Sequence, residues 1–262
     1  MKIKSPYLVK PGAKLRLDDY PTDDMGSFKK EKDALVELEK HRNKLGELQE
    51  VLFAEGKHAL LIVLQAMDTG GKDGTIRHIF SGVNPQGVTV TPFKVPTPLE
   101  AAHDYLWRAH AAVPRLGTIG IFNRSHYEDV LVTRVHKMIS DEEAHKRMEA
   151  INNFEWLLTE LGSTHIIKVY LHTSKAERHQ RLEDRLSVPS KMWKYSNSDF
   201  AEAKLWPEYE KMYEDCFARC NKTPWLIVPS DQNWYKEYLV AKALRDLLKG
   251  LKMKYPGITK HS

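Results

Sequence analysis

One segment of the chain, residues 59–81, restricts the possible folds more than any other, with the sequence ALLIVLQAMDTGGKDGTIRHIFS. Its first part, 59–64, is an unbroken apolar run, which is typical of a strand buried on both faces of a parallel sheet. A glycine-bearing loop at 66–74 follows at once, and apolar residues then recur at helical spacing. The segment therefore predicts a strand, a loop and a helix in direct succession.

The loop in this segment has the composition of a phosphate-binding loop. Gly70 and Gly71 let the backbone approach phosphate oxygens, and the next helix directs the positive end of its dipole at the same place. The Walker A pattern G-x-x-x-x-G-K-[ST] is matched at Gly71 and Lys72. Ala66 replaces its first glycine, and Asp73 replaces its hydroxyl residue. We expect these loop residues to bind phosphate, and the alternative is a glycine turn with a surface lysine.

The composition limits the class of protein. The 262 residues include 40 Lys and Arg against 35 Asp and Glu, and this net charge of +5 suits an anionic ligand in one basic site better than a broad nucleic-acid face. No apolar run approaches about 20 residues and the N-terminus has no apolar core, so we expect neither a membrane span nor a signal peptide. The two cysteines, Cys216 and Cys220, are too few for a disulfide framework, which favours a cytoplasmic protein.

Apolar and β-branched runs alternate with helical patterns along the rest of the chain. This alternation predicts an α/β fold, with a five-stranded parallel sheet and helices on both faces. The strands are predicted at 59–64, 87–93, 116–122, 165–171 and 225–228. The other helices are predicted at 28–55, 97–112, 126–138, 141–161, 174–186, 199–220 with a break near Pro207, and 233–248. The domains are predicted as an N-terminal arm at 1–27, a single domain at 28–250 and a C-terminal tail at 251–262.

Acidic and polar residues occur where two of the strands end. Asp68 lies inside the loop, where a carboxylate beside bound phosphates is unfavourable unless a cation lies between them, so we expect it to hold Mg²⁺, or Mn²⁺ in its place. Asn123 ends the third strand and could orient a water at that ion, while Arg124 could neutralise a transferring phosphoryl group. Glu128 could supply the charge that Asn123 lacks. The alternatives are a turn aspartate at 68 and a helix-capping cluster at the strand end.

A basic segment follows the fourth strand. Arg178, Arg181 and Arg185 are spaced three and four apart, which places them on one helix face. Guanidinium groups on one face repel each other unless an anion or solvent lies over them, so one interpretation is a lid at about 174–200 that closes over phosphates. The alternative is a solvated basic helix with Glu177 and Asp184 as local partners.

Four motifs together resemble the second family of polyphosphate kinases. They are AMDTGGKDG at 66–74, VNPQG at 83–87, FNRSHYEDVL at 122–131 and WKYS at 193–196. The resemblance extends over most of the chain, from about residue 28 to 248. It implies the P-loop kinase fold, similar to thymidylate kinase, with a helical lid. It also implies Mg²⁺-dependent transfer of phosphoryl groups between inorganic polyphosphate and AMP, ADP or ATP.

The resemblance assigns roles to individual residues. It implies catalytic positions at Asp68, Lys72 and Arg124, and we expect Glu128 to help to position the metal or the acceptor. It implies lid positions at Arg181 and Arg185, with Lys191 and Lys194 nearby. From the loop and helix patterns we also expect Gly70, Gly71, Asp73 and Arg178 to bind phosphate. Asn123 paired with Glu128 resembles the subgroup that accepts both AMP and ADP. Apart from the resemblance, a long polyanion needs a path away from the site, which the basic lid, Lys94 and Arg115 could line. The family also suggests a homo-oligomer, either a dimer or a tetramer.

Two other classes of protein stay open at this point. An ATP-dependent nucleoside monophosphate kinase would share the fold and the loop. A non-catalytic nucleic-acid-binding module would explain the positive charge and the aromatic residues Trp193 and Tyr195. Asp68 and Glu128 among the basic groups argue against that module, because acids do not help to hold nucleic acid. We therefore expect neither a nucleic-acid nor a membrane partner.

Overall fold

The computed structural model describes residues 4–10 and 15–257. A wholly parallel, five-stranded sheet lies at its centre, in the order β2-β3-β1-β4-β5, as the alternating pattern predicted. The strands are β1 (Ala59–Ala66), β2 (Val88–Pro92), β3 (Ile119–Asn123), β4 (Thr164–His172) and β5 (Trp225–Pro229). The helices are α1 (Glu31–Glu55), α2 (Lys72–Ile79), α3 (Pro98–Ala101), α4 (Trp107–Ala112), α5 (Glu128–Val135), α6 (Asp141–Trp156), α7 (Lys175–Ser187), α8 (Pro189–Met192), α9 (Asp199–Ala203), α10 (Trp206–Arg219) and α11 (Asn233–Gly250). Within the described ranges, every helix is too short or too polar to cross a membrane.

Helices cover both faces of the sheet, and a hydrophobic core lies under each layer. Every residue of β1 is buried, which explains its unbroken apolar sequence. Leu60 and Ile62 belong to the core beneath α1, α2 and α11. Leu61 and Val63 belong to the core beneath α5, α6 and α10. The sheet is therefore the middle of three layers, and a ligand can reach it at the ends of its strands.

The first helix, α1, packs lengthwise on α11. Leu38, Leu45 and Leu52 of α1 are buried, whereas Leu35 is exposed. The helix ends as predicted at Gly56, which has a left-handed backbone (φ 66°) and donates its N–H to the Leu52 carbonyl. The glycine at this position accommodates the positive φ without the steric cost of a Cβ.

Residues 7–9 of the predicted arm pack against the edge of the sheet. Leu8 forms an antiparallel bridge with Leu226 of β5, and the N–H of Val9 donates to the Trp225 carbonyl at 2.9 Å. Residues 1–3 and 11–14 of the predicted arm and residues 258–262 of the predicted tail lie outside the described residues. The division of the chain into an arm, a domain and a tail stays a prediction.

The prediction of one helix at 97–112 was wrong. Thr97 begins a helix as predicted, with a capping box to Glu100, but α3 ends at Ala101 and α4 starts only at Trp107. The side chain of Asp104 accepts a hydrogen bond from the Leu106 N–H at 2.9 Å, which stabilises a turn between them. The predicted break near Pro207 is present, because α9 and α10 are separate helices.

Candidate active site

A cavity of about 880 Å³ opens at the carboxyl ends of the strands. From β1 the chain continues to β2, which lies at one end of the strand order. From β4 it continues to β5, which lies at the opposite end. Such a change of direction leaves a crevice at this edge of a parallel sheet, where ligands usually bind. The cavity wall consists of the loop after β1, the ends of β2 and β3, the lid, and the first turn of α11.

The loop after β1 has the backbone of a phosphate site. Gly71 caps α2 with a left-handed conformation (φ 87°), and a Cβ added at Gly70 would lie 2.5 Å from the Cβ of Ala66. The small side chain at 66 therefore fits this tight loop. Among the described residues no side chain caps α2, so the N–H groups of its first turn can bind an anion.

Lys72 projects into the cavity from the start of α2. Its ammonium donates to the Ala66 carbonyl oxygen at 3.2 Å. Burial lowers the pKa of Lys72 to about 8, and the charge of Arg124 adds to this effect, while Asp68 and Glu128 partly oppose it. A phosphate group beside this ammonium would raise its pKa again, so the site favours binding of an anion.

Arg124 connects the ends of β1 and β3. Its Nη2 donates to Asp68 Oδ1 at 2.7 Å, and its Nη1 lies 3.6 Å from Glu128 Oε2. Burial opposes the charge of Arg124, but Glu128 and Asp68 hold its pKa above the ordinary value. Burial also raises the pKa of Glu128, and Arg124 limits that rise. The predicted residues of two distant sequence motifs therefore form one ion-paired cluster, of which Asp68 and Arg124 border the cavity, whereas Glu128 is not part of the cavity wall.

Asp73 connects the loop to the lid. Its Oδ1 accepts from Asn123 Nδ2 at 2.9 Å, and its Oδ2 pairs with Lys194 Nζ at 2.6 Å. A serine or threonine at 73, as in the Walker A pattern, would not make this ion pair. The structure thus gives Asp73 a contact with the lid that the loop pattern alone did not predict.

The lid brings four of its predicted basic residues to the cavity wall: Arg181, Arg185, Lys191 and Lys194. The carboxylates of Glu177, Asp199 and Asp184 hold the first three of these at 2.6–2.8 Å. Glu177 and Asp184 are the local partners that the alternative interpretation expected. The basic groups therefore combine both features, because they have local partners and they also line the cavity.

Two residues that were predicted to contact phosphate lie elsewhere. Arg178 is buried away from the cavity, where its guanidinium lies 4.5 Å from the Trp206 ring centroid and 2.7 Å from a Glu210 oxygen. The step of three residues from 178 to 181 is enough to turn its side chain towards α10. Arg115 lies over the ring of Phe53 at 5.8 Å and is not part of the cavity wall.

The contribution of α11 to the cavity was not predicted from the sequence. Lys236 is 1% exposed, yet it borders the cavity together with Asn233 and Glu237. Glu237 pairs with His78 of α2 at 2.6 Å. The sequence indicated only that the helix at 233–248 directly follows the fifth strand. Its first turn must therefore lie at the carboxyl edge of the sheet.

The cavity offers oxygen ligands for a divalent cation without forming a closed metal cage. The described part of the chain contains no cluster of three or more His, Cys, Asp or Glu that could hold a metal by themselves. Asp68 borders the cavity with a side chain that is 34% exposed, and Arg124 engages one of its two oxygens. One carboxylate beside a phosphate site fits Mg²⁺, which retains waters and completes its shell with substrate phosphates.

The fold and the cavity together define the class of protein. A phosphate loop after β1, an arginine at the end of β3 and a basic lid over the same crevice are arranged as in a P-loop kinase. Comparison with known proteins agrees with this class, because residues 28–256 match the model of the family described as polyphosphate kinase 2.

Similar proteins extend over almost the whole chain. An AMP/ADP-polyphosphate phosphotransferase of Meiothermus ruber is 47% identical over 253 residues, which is 95% of this chain and 94% of that protein. An ADP-polyphosphate phosphotransferase of Rhodopseudomonas palustris is 40% identical, over 99% of this chain and 94% of that protein. A crystal structure of polyphosphate kinase 2 from Arthrobacter aurescens has a TM-score of 0.93 and 40% identity, and the match covers 99% of this chain and 94% of that one. The chain belongs to the polyphosphate kinase 2 family.

Proposed function

We propose that this protein transfers phosphoryl groups between inorganic polyphosphate and adenine nucleotides, from AMP to ADP and from ADP to ATP. The observation that supports this most strongly is the charge of the cavity. Its wall holds three acidic residues, Asp68, Asp73 and Glu237, against nine basic ones: Lys72, Arg77, Lys94, Arg124, Arg181, Arg185, Lys191, Lys194 and Lys236. Four further carboxylates, of Glu128, Glu177, Asp184 and Asp199, pair with basic groups of this wall from outside it. Nine basic groups against seven acidic ones leave an excess of two positive charges, and most of the charged side chains that border the cavity are basic, as a polyanion site requires.

The proposed mechanism relies on positioning and charge neutralisation. The acceptor phosphate needs no strong general base, because its second pKa is about 6 and it is largely ionised at neutral pH. Lys72 and the N–H groups at the start of α2 hold the phosphate that is transferred. Arg124 neutralises the charge on its equatorial oxygens, and Arg181 and Arg185 do the same from the lid. The bond to the donor chain breaks as the bond to the acceptor oxygen forms.

Asp68 is the residue that we propose to hold Mg²⁺, or Mn²⁺ in its place, with Asn123 orienting a bound water. The cation would neutralise phosphate charge that the side chains leave unbalanced. Arg124 fixes the Asp68 carboxylate in place through their 2.7 Å contact, and Glu128 fixes Arg124 from the other side. Glu128 is therefore proposed to position this cluster and the acceptor.

We also propose a cytoplasmic, homo-oligomeric enzyme that binds neither nucleic acid nor a membrane. Cys216 and Cys220 are both free and buried, as expected for thiols in a reducing compartment. Leu35, Val36 and Phe53 expose apolar surface on α1, which supports a contact between copies of the chain. Light scattering on the purified protein distinguishes a dimer or a tetramer from a monomer.

Arg124→Gln is expected to lower kcat/KM for phosphoryl transfer by about 10²- to 10³-fold, because one preorganised positive charge is lost at the reacting phosphate. The change also removes the guanidinium that lies between the carboxylates of Asp68 and Glu128. Arg115→Gln is the matched control, since Arg115 lies outside the cavity wall and its loss should leave the rate nearly unchanged. Equal rates for the two variants would contradict the role of Arg124.

The value of kcat/KM for polyphosphate is expected to fall as the pH rises above about 8. The pKa values of Lys72 and Lys236 are both about 8 in the free protein, so a rise in pH removes positive charge from the cavity. Bound phosphates raise both pKa values, so kcat should fall only at a higher pH than kcat/KM. Initial rates measured across this range provide the test, and a profile that stays flat well above pH 8 would contradict the prediction.

The proposed function is tested by separating the nucleotides formed when purified protein is incubated with polyphosphate and either AMP or ADP. Formation of ADP from AMP and of ATP from ADP, both abolished when EDTA removes Mg²⁺, supports the proposal. Product from AMP only would limit the acceptor to the monophosphate. Product that forms only when ATP replaces polyphosphate would instead indicate a nucleoside monophosphate kinase.

A further inference from the structure

Lys236 has an environment that a purely structural role would not explain. Its side chain is almost fully buried on α11, and its ammonium donates to Asn233 Oδ1 at 2.7 Å, which is its one hydrogen-bond partner among the described residues. In the same part of the chain no carboxylate lies within ion-pair distance of it. An ammonium group has three N–H donors, and a buried charge normally requires a counter-ion. Lys236 therefore has an unused capacity to bind an anion.

A second cation lies beside it. Arg181 reaches from α7 to the Thr69 carbonyl at 3.1 Å and to the Ser230 carbonyl at 3.0 Å. A Cβ added at Gly71 would lie 2.8 Å from Lys236 Nζ and 3.3 Å from Arg181 Nη1. The ammonium of Lys236 and the guanidinium of Arg181, which come from different helices, therefore both lie close to Gly71 of the phosphate loop.

The two acidic groups near these cations contact other side chains and not the ammonium of Lys236. Glu177 is paired with Arg181 at 2.8 Å, and Glu237 is paired with His78 at 2.6 Å. Burial and the charge of Arg181 together lower the pKa of Lys236 to about 8, and Glu237 and Glu177 oppose this. Because neither carboxylate contacts the Lys236 ammonium, an anion bound between α7 and α11 would supply the direct partner that it lacks.

The position of this pair indicates which part of a substrate it meets. Lys72 and Arg124 lie at the other end of the loop, near Ala66 and Asp68. The aromatic side chain of Phe93 borders the cavity next to β2, at the opposite end of the strand order from β5 and α11. The wall near Lys236 consists of polar groups such as Asn233, which suit phosphate better than a nucleotide base.

We propose that Lys236 and Arg181 form a subsite for a phosphate of the inorganic polyphosphate chain that is not itself transferred. The inference rests on the proposed function. The donor chain would extend from Lys72 across Gly71 and leave the cavity between α7 and α11. The acceptor nucleotide would then occupy the side of the cavity next to β2.

Isothermal titration of inorganic polyphosphate into Lys236→Met tests the subsite. The dissociation constant is expected to rise by about 10- to 100-fold, since one charged hydrogen-bonding group is lost, while KM for AMP changes by less than about twofold. Titrations at pH 8 in two buffers of different ionisation enthalpy also report the number of protons that the protein takes up or releases on binding. Wild-type protein should take up protons on binding, because bound phosphate raises the lowered pKa of Lys236, and Lys236→Met should lose part of that uptake.

Lys249→Met is the matched control, because it removes the same charge from an exposed position at the far end of α11. It should bind polyphosphate as the wild type does. If Lys236→Met does not fold, Asn233→Asp replaces it, since a carboxylate 2.7 Å from the ammonium should compete with phosphate and weaken binding. Wild-type affinity and proton uptake in Lys236→Met, or wild-type affinity in a folded Asn233→Asp, would overturn the subsite.

The two proposals fail in different ways. If wild-type protein neither binds polyphosphate nor consumes it, the proposed function is wrong and the subsite is wrong with it. If wild-type protein uses polyphosphate and Lys236→Met binds it equally well, only the subsite is wrong. A lowered melting temperature with unchanged affinity would show that Lys236 has only a structural role.

Discussion

Lys72→Met is expected to lower kcat by at least about 10²- to 10³-fold, because the ammonium that neutralises the transferring phosphate is lost from a preorganised site. Methionine has a similar length and can occupy the same space. The folded state should not be destabilised, since within the described part of the chain Lys72 makes one side-chain hydrogen bond, to Ala66, and burial already disfavours its charge. The loss should therefore appear in the rate and not in the melting temperature.

Lys57→Met provides the matched control for this change. Lys57 is exposed and precedes β1, at the opposite end of the strand from the phosphate loop. Its removal changes the net charge equally and should leave kcat unchanged. A Lys72→Met protein that keeps its activity within about tenfold of the parent would contradict the proposed mechanism.

Lys168→Met is expected to destabilise the fold by about 3–5 kcal/mol, because it leaves a buried carboxylate without its counter-ion. Lys168 is fully buried on β4, and its ammonium contacts Glu155 Oε2 at 2.8 Å, the Tyr127 hydroxyl at 2.9 Å and the Cys220 carbonyl at 2.7 Å. The pair lies in the core beneath α5, α6 and α10, away from the cavity. Urea unfolding of the purified variant measures the change in the free energy of unfolding.

The double variant Lys168→Met/Glu155→Gln separates the lost pair from the lost packing. It should recover part of the stability that Lys168→Met loses, since no unpaired charge then stays buried. The remaining loss reports the contacts of the ammonium with Tyr127 and Cys220. A double variant that is less stable than the single one would contradict the assignment of the loss to the Glu155 charge.

The sequence allowed the centre of the fold to be predicted because local patterns and global architecture agree there. The unbroken apolar run of β1 requires cover on both faces, and Gly71 and Lys72 directly after it place a phosphate site at the sheet edge. Asp68 and Arg124 could be predicted to lie at the carboxyl edge of the sheet, because both follow predicted parallel strands. The sequence did not predict that β1 and β3 are neighbours, which brings the two side chains to their 2.7 Å contact.

Other features depend on tertiary contacts that no local pattern contains. Lys236 lies in a helix whose pattern indicates only a buried face, and it reaches the cavity because α11 packs against α2. Arg178 shares its sequence spacing with Arg181, yet Trp206 and Glu210 of α10 hold its side chain outside the cavity. A single turn at Asp104 divides a segment that has helical composition throughout.

The central claim is that polyphosphate is the phosphoryl donor in this cavity. Phosphorus NMR of purified protein with AMP, Mg²⁺ and long-chain polyphosphate, and with no ATP added, tests it most directly, because donor and products are observed in one sample. We predict that the signal of internal polyphosphate decreases while ADP appears first and ATP follows. An unchanged polyphosphate signal, with AMP phosphorylated only after ATP is added, would contradict the claim.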